Sequence, residues 1–350
     1  MFFLIIPFRN NLKGISMFSK NRKFISLLLT PILAFSVAGC SVYTDYSLET
    51  VRTVERVTVS ETSQTEKYIR SSFNTEQNPY FAMLSETEMD AYSLIYEELS
   101  DGNAEFDCRI KLNADQLTNA VDAVLYDHPE LFWIDNNYGY TYDPADGSIM
   151  EIKFNFFDFA DTPEKLKKAK AEFDREATAV IEKALAYPTL LERELYIHDY
   201  VCENTHYDAS APYNQSAYSV LVLHRSVCAG YSRAFQYLMQ KAGYTCYYVT
   251  GRAEGGGVLS AGDGFEDGSH SWNIVLLSGE FYNVDCVWDD TASETYGSII
   301  YPFFNVPDEE MVRRTRVQMA VRLPKCTATE CKYANHFGPT VEADSIVFAD

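Results

Sequence analysis

The sequence predicts an α+β protein in which a helix that opens on a cysteine packs on an antiparallel sheet, behind a small α+β unit on its N-terminal side. Three observations predict it. Tyr (25) and Phe (22) are abundant, a composition that favours strands as well as helices. Segments of helical period alternate with short turn-bounded runs, and the last of these form a hairpin. No internal repeat or heptad array is present, which excludes solenoids and long coiled coils. With 350 residues, 47% of them hydrophobic, the chain can bury the cores of one or two domains.

The first 39 residues read as a targeting segment. Lys20, Arg22 and Lys23 form a basic region, and "FISLLLTPILAFSV" has the length of a signal core and is short for a membrane span. Met17 is a better start than Met1, because the basic region then lies at the terminus. The signal ends in "VAGC", residues 37–40, which resembles a bacterial lipobox with Val37 in place of the commoner Leu. That resemblance implies cleavage before Cys40 and lipid attached to it; the plainer reading is an ordinary secretory signal with Cys40 a bystander. Losing residues 1–39 removes five basic and no acidic residues, so the formal charge goes from −21 to −26. Such a surface argues against nucleic acid as a partner. It fits a domain held at a membrane by lipid rather than by a basic patch.

Residues 40–75 are rich in Ser, Thr and charge and read as a flexible tether, with one strand near residues 51–59. Residues 76–160 form the small α+β unit. Ser85 with Glu88 is a capping box ahead of a helix carrying Met89, Tyr92, Ile95, Tyr96 and Leu99. Asn113 caps a second helix that stops before Pro129. "LFWI" and "YGYTYD" read as strands, "PADG" as a turn, and "SIMEIKFNFFDF" as a third strand. His128, at the helix end beside Pro129, is expected to cap.

Residues 161–350 form the larger domain. Thr162 and Pro163 start a long helix with the stripe Leu166, Ala169, Phe173, Ala177, Val180, Ile181 and Ala184. "TLLERELYIHDYVCENT" is the next helix; its His198 reads as structural. "VCAGYSRAFQYLMQKAGY" follows, with Ala234, Phe235, Leu238, Met239 and Ala242 on its buried face and Gly243 as C-cap. "TCYYVTG" is a strand. A glycine-rich loop, 251–268, carries Glu254, Asp263, Glu266 and Asp267; it reads as a disordered insertion or as a lid. "HSWNIVLLSG" and "EFYNVDCVWDD" are strands of a hairpin joined by "SGE".

Eight cysteines are present, with no zinc-type CxxC spacing, so no metal site and no cofactor are expected; Cys202, Cys246 and Cys286 read as buried thiols. Cys228 differs, because it sits at a helix start. The thiolate is the nucleophilic form, and a first helical turn stabilises it with unpaired N–H groups and a positive dipole end. An imidazole beside it can hold and return a proton, and a carboxylate on the far ring nitrogen fixes the tautomer. His270 opens the first hairpin strand and Asp285 lies in the second, where antiparallel pairing can bring them together. Taken singly, each has a plainer reading: a small buried residue, a structural histidine, and an aspartate competing with Asp289 and Asp290 that caps a turn.

At these residues the chain resembles the transglutaminase-like superfamily. The carriers are "AYSVLVLHRSVCAGYSRAFQYLMQKAGYTCYYVTG", "HSWNIV" and "FYNVDCVWDD", over a core of about residues 188–306, with looser likeness in "HPELFWI" and "PKCTATE". The resemblance implies a papain/transglutaminase-like core with Cys228 as nucleophile, His270 as general base and acid, and Asp285 as orienting acid. It implies that Trp272 flanks the histidine, as groove wall or as core. It also makes the Cys228 N–H one oxyanion donor, with Tyr218 a weaker candidate for the second. Ser271 stands where Ala or Val is commoner. The implied activity is acyl transfer on a protein or peptide substrate through a thioester. Water as acceptor gives a peptidase or amidase, the favoured reading; an amine gives cross-linking; a third reading is a non-catalytic envelope binding module. The expected location is extracytoplasmic, anchored through Cys40.

Overall fold

A computed structural model describes residues 2–7, 73–253, 268–291, 296–311 and 313–345. Cys40, nearly all of the expected signal and tether, and loop residues 254–267 lie outside the described residues. Phe2–Pro7 (β1) falls inside the expected signal segment and pairs antiparallel with Asn137–Tyr142. A chain starting at Met17 would lack this strand and leave its neighbour at the sheet edge.

The N-terminal unit packs helices α1 (Glu86–Ser100) and α2 (Ala114–Asp127) against a four-stranded sheet. The sheet also contains β2 (Glu105–Asp107), β3 (Ile134–Tyr142) and β4 (Ile149–Phe156), in the order β1-β3-β4-β2. Both expected capping boxes form, Ser85 with Glu88 and Asn113 with Gln116. "LFWI" is not a separate strand: only Ile134 joins β3. The ring of Phe132 lies 4.1 Å from that of Phe173, and the Lys170 ammonium sits 4.0 Å over the Trp133 ring. That apolar run is core filling between the two units.

In the larger unit, α3 (Pro163–Leu185) starts with the Thr162 hydroxyl accepting from the Lys165 N–H, and α4 (Leu190–Glu203) with a Thr189–Glu192 capping box. The expected stripe of α3 is buried apart from Ile181, which is partly covered. The two-residue strands β5 (His206–Tyr207) and β6 (Arg225–Ser226) and the short helix α5 (Ala217–Leu221) lead into α6 (Cys228–Lys241). Every residue of α6 from Cys228 to Met239 is buried, not one face only. It is a central helix, and its buried polar donors reach backbone acceptors: Arg233 donates to the Gln215 carbonyl at 2.6 Å and Gln236 to the Tyr126 carbonyl at 2.9 Å.

A five-stranded sheet covers α6. Its order is β10-β9-β8-β7-β11, all pairs antiparallel, from β7 (Cys246–Ala253), β8 (Ser269–Leu277), β9 (Glu280–Val284), β10 (Phe304–Val306) and β11 (Arg314–Arg316). The β8–β9 turn is Ser278–Gly279, both left-handed with φ 52° and 88°, which matches the twist of a tight hairpin. The second hairpin strand ends at Val284, earlier than expected. Cys286–Thr291 is helical, because the Asp285 carboxylate accepts the Trp288 N–H at 3.2 Å and its carbonyl accepts that of Asp289.

The two units share one apolar cluster running from Tyr80 to Cys326. The Tyr80 hydroxyl donates to the Tyr248 carbonyl of β7 at 2.6 Å, so the N-terminal unit buttresses the sheet that carries the site.

Candidate active site

Cys228 is the first residue of α6, after an extended Val227 with no side-chain cap. The first turn therefore has its amide dipoles directed at the thiol end. Gly230 keeps this turn tight: a Cβ there would stand 1.9 Å from Ser226 Oγ and 2.7 Å from the Asn214 carbonyl. The smallness of "AGY" is thus required by packing against β6.

His270 lies in β8 opposite Gly251. Its Nε2 is 2.7 Å from Asp285 Oδ2, and Cys228 is near enough to act electrostatically on the ring. With Nε2 committed to Asp285, Nδ1 is the atom left to face sulfur. Burial pulls the imidazole pKa down, but the Asp285 charge and hydrogen bond, with those of Cys228, outweigh it and raise it to about 9. Asp285 is itself buried, which favours its neutral form; the charges of His270 and Arg314 and its hydrogen bonds overcome this and hold it at about 2. The site is therefore built around a charged imidazolium–carboxylate pair.

Arg314 is the residue that sequence reasoning missed. Its Nε donates to Asp285 Oδ2 at 2.8 Å, and both side chains are fully buried. Its guanidinium lies 3.7 Å over the Trp288 ring and 3.9 Å over that of Phe303. Asp285 thus receives two charged donors on one oxygen and a backbone N–H on the other. No local motif marks Arg314; β11 brings it in from the far edge of the sheet.

Trp272 is buried, with its ring centroid 6.0 Å from that of His270 and its indole N–H donating to Asn283 at 3.1 Å. It fills the space above Gly251, where a Cβ would stand 2.2 Å from the ring, so it serves as core. Tyr218 does not fit an oxyanion donor: its hydroxyl donates to Glu172 at 3.0 Å, its N–H to Ser216, and its ring stacks on Phe159. His128 is buried in a network with Tyr92 and Glu130, each at 2.8 Å. The Gly-rich loop contributes only its ends to the described residues.

Residues 177–286, a span that holds Cys228, His270 and Asp285, match the family model described as the transglutaminase-like superfamily. Over this segment the chain is similar to the transglutaminase-like superfamily. The human kyphoscoliosis peptidase is 25% identical over 166 residues, 46% of this chain and 25% of that protein. The chain thus spans about a quarter of the length of the curated relatives it matches. A solved structure described as a TGase is 13% identical with a TM-score of 0.28, covering 52% of this chain and 50% of that one. The periplasmic domain of TgpA from Pseudomonas aeruginosa is 12% identical with a TM-score of 0.27, over 43% and 71%. This transglutaminase-like segment runs from α3 through α6 to the β8–β9 hairpin. Arg314 lies beyond the matched span.

Proposed function

We propose that this protein is a cell-envelope cysteine acyl-transfer enzyme that hydrolyses amide bonds in a protein or peptide substrate through a thioester on Cys228. The observation that supports this reading is the buried His270–Asp285 pair at 2.7 Å in a chain whose Cys228 opens α6. His270 holds the proton that comes from the thiol, and the Cys228 thiolate attacks the amide carbonyl. The tetrahedral oxyanion is held by N–H groups at the start of α6. As the C–N bond breaks, His270 returns the proton to the leaving amine. Water then attacks the thioester, giving its proton to His270, and the carboxylate leaves as the thiol is restored. Asp285 holds the ring tautomer and the positive charge throughout. Residues 1–39 serve as the signal, whose removal takes β1 with it and leaves β3 at the sheet edge; Cys40 serves as the lipid-bearing residue and residues 40–75 as the tether, which sets the enzyme outside the cytoplasm.

The test incubates the full chain with peptide amides and esters, with and without a labelled primary amine, and reads products and intact mass. The reading predicts an acyl adduct on Cys228 and release of the free acid, both absent in Cys228→Ala. Preferential incorporation of the amine would replace hydrolysis by cross-linking. Neither adduct nor turnover would leave a binding module on this fold.

A further inference from the structure

Directly after Asp285 the chain builds a second buried cluster that the proposed reaction does not use. His198 and Cys202 are four residues apart on α4 and so share a face; Cys286 and Asp289 lie three apart on the helix Cys286–Thr291. All four side chains are buried. One nitrogen of His198 and the sulfurs of Cys202 and Cys286 lie within 4.8 Å of one another. Cys202 Sγ is 3.8 Å from His198 Nε2, and Asp289 Oδ2 is 3.1 Å from the same nitrogen. Bonds of about 2.3 Å to sulfur and 2.0 Å to nitrogen or oxygen place tetrahedral ligand atoms roughly 3.3–3.8 Å apart. The His198–Cys202 and His198–Asp289 contacts are near that spacing, and Cys286 lies within 4.8 Å of His198 and Cys202.

The outer atoms are held as a metal site requires. His198 Nδ1 is 3.0 Å from Asp199 Oδ1, which fixes the ring, and Asp289 Oδ1 accepts the Phe303 N–H at 3.0 Å. A cleft lined by Cys202, Thr205, His206, His224, Asp290 and Tyr301 gives an entry path to one ligand. Two thiolates, an imidazole and a carboxylate suit a borderline-soft ion without geometric preference of its own.

We propose that His198, Cys202, Cys286 and Asp289 bind one zinc ion in a closed structural site that clamps α4 to the helix following Asp285. Binding replaces three protons, those of the two thiols and the one shared between His198 Nε2 and Asp289, and releases them to solvent. The clamp fixes the end of β9 from which Asp285 projects. No CxxC spacing announces the site, because its two halves come from segments 84 residues apart. The i, i+4 spacing of His198 and Cys202 is its one local trace.

The test is metal analysis of the full chain purified with zinc present and then dialysed. The expected result is one zinc per chain, kept by Cys228→Ala and Cys246→Ser and lost by the double variant Cys202→Ser/Cys286→Ser. Because that variant can fail to fold, the wild-type chain is also stripped with chelator and reloaded with cobalt(II). A thiolate-to-cobalt charge-transfer band and recovery of a melting midpoint lowered by several degrees are expected. Substoichiometric zinc, a melting midpoint indifferent to chelator, or a Cys202–Cys286 disulfide found by mass spectrometry would each overturn the proposal.

Discussion

Replacing Arg314 with methionine keeps the side-chain stem and removes the charge that faces Asp285. The guanidinium Nε is 2.8 Å from Asp285 Oδ2 in a fully buried setting. With the charge centres about 4 Å apart and an effective dielectric of about 20, the lost attraction is roughly 4 kcal/mol. That agrees with the ~3–5 kcal/mol seen when one partner of a buried pair is removed. Spent on the carboxyl equilibrium, the same energy moves Asp285 by about three pH units. Its pKa then goes from about 2 to roughly 5, above the unfolded value of about 3.9. The sign of the linkage therefore reverses. In the parent, Asp285 adds stability that is present above about pH 4 and lost as the pH falls through 2. In the variant, the folded state binds the extra proton between roughly pH 4 and 5, so stability rises on acidification through that window. Urea denaturation followed by tryptophan fluorescence reads the difference between parent and variant. It should be about 4 kcal/mol at pH 7 and shrink by roughly 1.4 kcal/mol per pH unit below pH 5. A difference below about 1 kcal/mol at pH 7, or one that stays constant down to pH 4, would refute the argument that Arg314 keeps Asp285 ionised.

The His270–Asp285 pair predicts a second pH dependence. His270 is raised to about 9, so its contribution is complete below the unfolded value of about 6.5 and fades as the pH rises through 9. Parent stability should fall by a few kcal/mol relative to His270→Gln between pH 6.5 and 9; parallel curves would contradict it. Gly251→Ala should lower stability by at least ~1–3 kcal/mol, since its Cβ would meet Trp272 at 2.2 Å and the Thr315 carbonyl at 2.7 Å. Calorimetry showing an unchanged melting midpoint would mean that Trp272 can move. Gly230→Ala should slow Cys228 alkylation as well as destabilise, because its Cβ would press Ser226 at 1.9 Å and shift the first turn of α6. Parent-like alkylation in a folded variant would separate that turn from reactivity.

What could be read in the sequence was local. Ser85, Asn113 and Thr162 announced their helices through short-range capping chemistry. The α6 start, and His270 at the opening of β8, followed from periodicity and turn residues within a dozen positions. Asp285 was singled out but expected in a strand: "NVDCVWDD" alternates like one, and the Asp285–Trp288 hydrogen bond turns it into a helix start. Arg314 was out of reach because its partner is 29 residues away across an edge strand. His198 and Asp289, 91 residues apart, pair only once α4 lies on the helix after β9. Tyr218 was misjudged because proximity to Cys228 in sequence says nothing of where the ring points. Contact with Glu172 on α3 decides that.

The central claim is that Cys228 is the activated thiol. The chain contains eight cysteines; of the seven described, Cys202, Cys246 and Cys326 are buried with their thiol pKa values pushed up, chiefly by burial. Only Cys228 joins a helix start to His270. Brief treatment of the full chain with a limiting iodoacetamide dose at pH 6, followed by peptide mapping, measures which thiol reacts. The account predicts label on Cys228 well ahead of every other cysteine and loss of that preference in His270→Ala. Equal labelling across the cysteines, or a preference that survives His270→Ala, would contradict it.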